Sequence, residues 1–558
     1  MRTIKGLLVS AAGTQGLSRQ QQAAAARELI RTAGLAVYEA SVSQAEGALL
    51  ALARDGRARR LVVVAEPGGM PNDRVGLCGN KEPRASARAA ARPPAGPGIV
   101  HGHLAFGPLI RDRHRIDVDN TALELGTLPV GHEAACGLRQ LLAWTAPQVV
   151  GLRRSVGLGD RLGLATPGHL RAVQGSGCVP FPAQQSIREM TRTRRTPEQV
   201  MDDATWGVFQ AGWREGFGSD ADHLKEPADI DATDAAGFTM FTIDPGDHVR
   251  SDADTMGGAS LSSGTDALPW AELETSAADF RKAYLGRSFA LDGGETVTFN
   301  QETLARAAIK YGSAIVHTVR MFRHLKDRRG SRPFELEVSV DETATPTTVP
   351  EHYLIAAELK RLGVEWVSLA PRFTGEFEKG IDYKGDLGAF EESYVQHIAI
   401  ARTLGPYKLS LHSGSDKFSV YPIAARLSGE LVHLKTAGTS YLEALRVAAR
   451  KRPGLFRRIL QFAFERFDED KASYHISARI AAVPHPHALQ DRELETVLDG
   501  NDGRQLLHVT YGSVLTWEND DGTYKFRDEL LEMLIDDEEE HYTVLAEHLG
   551  KHVQPFAR

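Results

Sequence analysis

The fold this sequence predicts is a closed (β/α)8 barrel of the TIM type, carrying an N-terminal accessory α/β region and insertions. From about residue 150 onward, short apolar segments recur, and each ends in polar residues. Each is followed by a stretch with apolar residues at three- and four-residue spacing, the mark of an amphipathic helix. Strands that alternate with helices pair in parallel, because every crossover returns the chain to the same end of the sheet. An open doubly wound sheet is the alternative that the same pattern permits.

Eight segments supply the strands: "SVGLGD" (155–160), "VPFPAQQ" (179–185), "DADHLK" (220–225), "FTMFTID" (238–244), "FELEVSVDE" (334–342), "EWVSLAP" (365–371), "KLSLHSG" (408–414) and "LVHLKTAG" (431–438). "PEQVMDDATWGVFQAGWREGF", "VPEHYLIAAELKRLG" and "FEESYVQHIAIARTLG" are helices between them. These place a catalytic barrel at 151–515. The polar, glycine-rich stretch that begins "PGDHVRSDADTMGG" opens an insertion at about 245–332 beside the active face. Residues 1–150 form the accessory region, with "NKEPRASARAAARPPAGPG" (80–98) as an exposed loop. Residues 516–558 are a helical tail whose acidic "DDEEEH" reads as solvated surface.

Composition narrows the function. A net charge of −8, from 65 basic and 73 acidic residues, argues against nucleic acid or an anionic membrane as partner and leaves a small molecule. Cys78, Cys136 and Cys178 are too scattered for a disulfide framework or a thiolate zinc site, which fits a reducing cytoplasm. The N-terminus falls short of a signal peptide, and no run of about 18 apolar residues is present. "GLGDRLG" is not a dinucleotide fingerprint, no Walker lysine follows a glycine loop, and no G-x-S-x-G elbow occurs.

In a parallel barrel the loops after the strand C-termini build the active face. His223, Asp244, Asp247, His248, Glu337, Asp341, Glu342 and His412 gather at such ends. Imidazole and carboxylate together suit Mn, Zn, Co, Ni or Fe as divalent cations. Period two puts Glu335, Glu337, Ser339 and Asp341 on one strand face, where Glu337 is either functional or a buried carboxylate paired with Lys or Arg. "GDRLGLATPGH" offers Asp160 as a general base, with Arg161 or His169 gripping an acidic substrate. Equally, Asp160 and Arg161 could form a structural pair with Thr166 capping a helix. Lys225, Lys417 and Lys435 are further candidates, and Lys435 follows the last strand closely enough to point inward.

At "GLGDRLGLATPGHLRAV", "FPAQQSIREMTRT", "MDDATWGVFQAGWREGFGSDADHLK", "FTIDPGDHV", "LHSGSDKFSVYP" and "RQLLHVTYGSVL" the sequence resembles the tagaturonate epimerase family, over roughly residues 150–515. The resemblance implies a divalent-metal-dependent enzyme of hexuronate catabolism. Such an enzyme would interconvert D-tagaturonate and D-fructuronate by deprotonation and reprotonation at C3 through an enediolate. Epimerisation of that kind needs acid/base groups on opposite faces of the substrate. The strand ends assign Asp160 to one face and Glu337 or Lys435 to the other, with His223, Asp244 and His412 as metal ligands. A substrate carboxylate would be held by Arg161, His169, Lys417 or the "SGS" loop at Ser413. A metal-dependent ketose isomerase or aldolase, or a non-catalytic sugar-acid-binding protein, are the competing readings.

Overall fold

The computed structural model describes residues 17–67, 109–110, 112–118 and 121–557. The opening apolar run "GLLVSAAG", the 80–98 segment and Cys78 lie outside them. The chain divides into two compact units, Met1–Pro147 with Glu198–Gly216, and Gln148–Pro197 with Phe217–Arg558.

The first unit is built on an antiparallel sheet of β1 (Ala36–Val37), β2 (Ser43–Ala45), β3 (Ala48–Asp55), β4 (Ala58–Ala65), β5 (Asp112–Val118) and β6 (Thr121–Pro129), in the order β1-β3-β4-β6-β5 with β2 on β3. "LVVVA" (61–65) is apolar at every position because both faces of this part of β4 are covered. Leu50, Leu52, Leu61 and Val63 pack with Leu138, Trp206 and Phe209. Leu49, Ala51, Val62 and Val64 pack on the other face with Ala25 and Leu29 of the helix Arg19–Ala33.

The second unit carries the barrel. Its strands are β7 (Ser155–Gly157), β8 (Val179–Phe181), β9 (Ala183–Ser186), β10 (Ser219–Leu224) and β11 (Met240–Ile243). A hairpin of β12 (Ser288–Ala290) and β13 (Thr296–Thr298) intervenes, and β14 (Glu335–Val340), β15 (Ser368–Pro371), β16 (Lys408–Leu411) and β17 (Val432–Lys435) complete it. The sheet order is β8-β7-β17-β16-β15-β14-β11-β10-β9, and every pairing in it is parallel. β8 and β9 are halves of one strand broken at Pro182, which has no N–H to give a ladder. One half pairs with β7 and the other with β10, so the ring closes there with eight strands, one for each segment read from sequence.

The insertion is more ordered than its composition suggests. It holds helices Gly258–Asp266 and Ala277–Tyr284, the β12–β13 hairpin, and the 29-residue helix Gln301–Arg329, which makes the crossover from β11 to β14. Asn300 starts that helix by accepting from the Thr303 N–H at 2.9 Å. The acidic run near the C-terminus is solvated at Glu539 but is part of a packed helix: Glu538, Glu539 and Glu540 form the first turn of the helix Glu538–Val553, where carboxylates complement the macrodipole. That helix and its neighbours share a core of Leu442, Leu445, Phe456, Ile459, Leu506 and Leu534. No helix among the described residues is long and apolar enough to cross a membrane.

Inside the barrel the inward positions are strongly polar. β14 alternates Glu335, Glu337 and Ser339 with the apolar Leu336, Val338 and Val340, and all six are buried. Lower in the barrel, Lys408 donates to Ser155 Oγ at 3.0 Å, and Ser155 bonds His433 Nδ1 at 2.8 Å. A plug of Val150, Val179, Phe181 and Met240 adds apolar packing.

Outside the barrel, Asp234 on the helix Pro227–Ala235 accepts from Arg329 at 2.8 Å, Arg332 at 2.9 Å and Arg328 at 3.1 Å. Burial pushes its carboxyl up, but these guanidinium groups hold it below the usual value. Replacing it strands several cations, so Asp234→Asn is expected to cost about 3 kcal/mol at pH 7. A carboxylate depressed in the folded state stabilises above its unfolded pKa of about 4, and the contribution is lost as pH falls through the folded value. Urea unfolding of both proteins across the acidic range should show the difference shrinking below about pH 4.

Candidate functional site

A buried ion cluster occupies the C-terminal end of the barrel. Lys435 closes β17, and its ammonium lies 2.8 Å from Asp220, 2.7 Å from Asp222 and 2.7 Å from Glu337, while donating to Thr242 Oγ1 at 2.8 Å. β10 and β17 are not neighbours in the sheet, so these contacts cross the barrel interior. Burial alone would lower the Lys435 pKa, yet the three carboxylates hold it well above the ordinary value. Asp220 is pushed up to about 6 by burial and by the nearby Asp222 and Glu337 charges. Glu337 goes the other way, held well below by Lys435 and His412 against its burial.

Two histidines stand above this layer. The ladder between β10 and β11 shifts register between Ala221 and Leu224, and His223 there has φ 53°. This irregularity breaks the period-two alternation, so the consecutive residues Asp222 and His223 both line the same cleft. His223 Nδ1 bonds Asp244 at 3.1 Å. His412 bonds Glu337 through Nε2 at 2.6 Å and Asp341 through Nδ1 at 3.1 Å. Against the lowering effect of burial, Asp222 and Asp244 raise His223 to about 10. Asp341 and Glu337 likewise raise His412 to about 9, against burial and Lys435. One ligand atom from each of Asp222, His223 and His412 lies within 4.8 Å of the other two, and His223, Asp244 and Glu342 make a second group of that kind.

The cleft over this cluster is lined further by Arg161, Gln184, Glu189, Lys379, Tyr474 and His508. It shares Arg188, Lys379, His412, Ser413 and Tyr474 with a cavity of about 450 Å³ bordered by Asp341, Glu342, Arg372 and Phe373. The arrangement can neutralise a developing oxyanion with a fixed ammonium, and it offers guanidinium and ammonium groups to a substrate carboxylate.

The comparisons with known proteins agree with this architecture. A model of the tagaturonate epimerase family matches residues 108–556. The chain belongs to the tagaturonate epimerase family. It is 47% identical over 424 residues to the tagaturonate/fructuronate epimerase of Thermotoga maritima, covering 76% of this chain and 84% of that one. The crystal structure of the native fructuronate-tagaturonate epimerase of Cohnella laeviribosi superposes with a TM-score of 0.82 at 34% identity, covering 95% of this chain and 99% of that one. A glycerol complex of that protein gives 0.81 at 35%, covering 94% and 97%. By family this chain is therefore a sugar-acid epimerase.

Of the residues singled out from sequence, His223, His412, Lys435, Arg161 and Ser413 line the cleft of the epimerase. Asp244 stands behind His223 and bonds it. Glu337 is fully buried beneath His412, where its oxygens are taken by Lys435, His412, Thr242 and Ser368, so it supports its neighbours and does not itself reach substrate. Lys435, held charged by those carboxylates, has no lone pair with which to accept a proton. Asp160 is displaced from its predicted role: its carboxylate accepts from the N–H groups of Leu162 at 2.9 Å, Gly163 at 2.8 Å and Ala165 at 2.6 Å, which fixes the loop after β7. His169 is buried against Ser440 at 2.7 Å, with its pKa lowered to about 4 by burial. Lys417 is buried and donates to the carbonyls of Glu378, Ile381 and Ser415, leaving no donor for substrate. Lys225 pairs with the exposed Asp247 at 2.8 Å, and His248 stacks on His317, both outside the cleft. Asp222, Arg188, Lys379, Tyr474 and His508 are the residues that sequence reasoning missed.

Asp416, His548 and His552 form another His/carboxylate group, but it is structural. His552 accepts the Asp416 N–H at 2.9 Å and donates to the His548 carbonyl at 3.2 Å, while Arg504 pairs with Asp416 at 2.7 Å.

Lys435→Met leaves buried carboxylates without their counter-charge and is expected to cost about 3–5 kcal/mol, part of it recovered by adding Asp220→Asn. Urea unfolding of the two single variants and the double variant measures that coupling. Asp160→Asn should lower the melting temperature while kcat stays within about threefold, because the lost bonds hold a loop and touch no substrate.

Proposed function

We propose that this epimerase interconverts D-tagaturonate and D-fructuronate in the cleft at the barrel mouth, with a divalent cation held by Asp222, His223 and His412. The observation that carries the metal reading is the convergence of those three ligand atoms on strand ends, with Asp244 behind His223 and with Glu337 and Asp341 at the two ring nitrogens of His412, one of which a cation would take over. The donor set fits such a cation: two imidazoles and a carboxylate suit Mn, Zn, Co, Ni or Fe. The carboxylates of Asp220, Asp222 and Glu337 also outnumber the ammonium of Lys435 among them. When bound, the cation supplies Lewis-acid stabilisation of oxygen anions.

The chemistry of the substrates argues against the expected deprotonation at C3. These two acids differ in configuration at C3, counted from the carboxylate, and their ketone is at C5. The C3 hydrogen is therefore not α to the ketone, and its direct removal gains nothing from enolate formation. Inversion through an enediolate follows instead when the C3 hydroxyl gives its proton to a carboxylate at the cleft, for which Glu342 on the adjoining cavity is available, and the C3–C4 bond breaks. The products of that step are the aldehyde 2-hydroxy-3-oxopropanoate and the enediolate of dihydroxyacetone. The aldehyde turns its other face, the bond re-forms, and the C3 oxygen regains a proton. Lys435 lines the cleft as a permanent cation beside the developing enediolate. Arg161, Arg188 and Lys379 line the same cleft and would hold the carboxylate fragment so that it rotates without escaping.

Proton NMR of tagaturonate in D2O tests both levels. Fructuronate should appear with protium retained at C3, the reaction should stop on chelation, and Mn²⁺ or Zn²⁺ should restore it. Deuterium at C3 would return the mechanism to deprotonation, and no product with any metal would overturn the function. Asp222→Asn and His223→Ala should each lower bound metal, measured by elemental analysis, and cut kcat by about 100-fold or more.

A further inference from the structure

His508 lies on the helix Asn501–Val509, is 2% exposed and lines the cleft. Neither of its ring nitrogens has a hydrogen-bond partner among the described residues. Leaving both nitrogens of a buried imidazole unmet is costly, since a buried polar group without a partner keeps its full desolvation penalty. The backbone also makes room for this ring. A Cβ on Gly438 would lie 2.0 Å from His508 Cε1 and 2.6 Å from Nδ1, so only glycine lets the imidazole occupy its place. A Cβ on Gly380 would touch Nδ1 at 3.4 Å.

Resting on the epimerase reading above, we propose that His508 contacts the substrate, hydrogen-bonding a hydroxyl group of the sugar acid. Arg161, lining the same cleft, sets the division of labour. Its Nε and one terminal nitrogen bind Glu189 at 2.9 and 2.6 Å, its plane stacks 3.6 Å over Tyr511, and its remaining Nη1 has no partner among the described residues. That free guanidinium edge suits the substrate carboxylate. The imidazole suits a different group. Burial, with the nearby Arg161 and Lys379 charges, holds its pKa well below 6.5, so the ring is neutral. A neutral ring donates from one nitrogen and accepts at the other, which matches hydroxyls that do both and does not match a carboxylate.

The test uses the full-length enzyme and the variants His508→Phe, His508→Gln and Gly438→Ala. Substrate contact predicts that His508→Phe folds with an unchanged or raised melting temperature, because the ring shape stays and the unmet polar atoms go. Its KM for tagaturonate should rise about tenfold or more, with the Gln variant recovering much of the loss. Gly438→Ala, which crowds the ring while keeping it, should raise KM in the same way. A melting temperature that falls in His508→Phe while KM stays constant would make the residue structural and overturn the proposal. So would a KM unchanged in a stable variant. Calorimetric binding of tagaturonate, fructuronate and galacturonate to the wild type and His508→Phe separates the two readings. Binding that depends on His508 without turnover sinks the epimerase activity and keeps the contact; turnover indifferent to His508 does the reverse. Binding of none of the three removes both.

Discussion

Everything at the barrel mouth depends on one ammonium group. Lys435 sits where carboxylates from β10 and β14 meet across the interior, and without its charge those acids could not stay ionised at such close range. The ions in turn orient what lies above them. Glu337 fixes His412, and Asp222 takes part in both the interior cluster and the cleft. A polar interior of this kind contributes less to stability than an apolar one would, and what it provides is a fixed electrostatic environment ready before substrate arrives.

The strand scaffold converts that environment into a site by regular and irregular means. Regular alternation brings Glu335, Glu337 and Ser339 inward on β14. The irregularity is the register shift on β10, which sets His223 beside Asp222 where alternation would send it away. Left-handed backbone at His223 and at Ser413, both non-glycine residues, marks places where the surrounding structure imposes a conformation that the residues alone would avoid.

The barrel was legible in the sequence because each strand carries its own apolar run and each crossover its own helical periodicity, so no long-range knowledge was needed. Even the strand interrupted at Pro182 showed itself as a single segment. The site was legible only where a side chain follows strand geometry, as His412 and Lys435 do. Asp160 looked like a catalytic strand end, but "GDRLGLA" places three backbone N–H groups within reach of its carboxylate, and that local turn satisfies it completely. Asp222 was hidden because two consecutive residues cannot share a face under strict alternation. His508 belongs to no strand end at all, and nothing in "RQLLHVTYG" distinguishes a cleft-lining histidine from a packed one.

The pairing of Arg161 with Tyr511 bears on how the protein is made. The arginine belongs to the loop after the first barrel strand, and the ring beneath it arrives about 350 residues later on the ribosome. Arg504, which pairs with Asp416 in the loop after β16, comes equally late. A nascent chain can therefore complete all eight strands while its cleft still lacks one wall. A chain that ended before Tyr511 would lack the ring on which the Arg161 guanidinium rests.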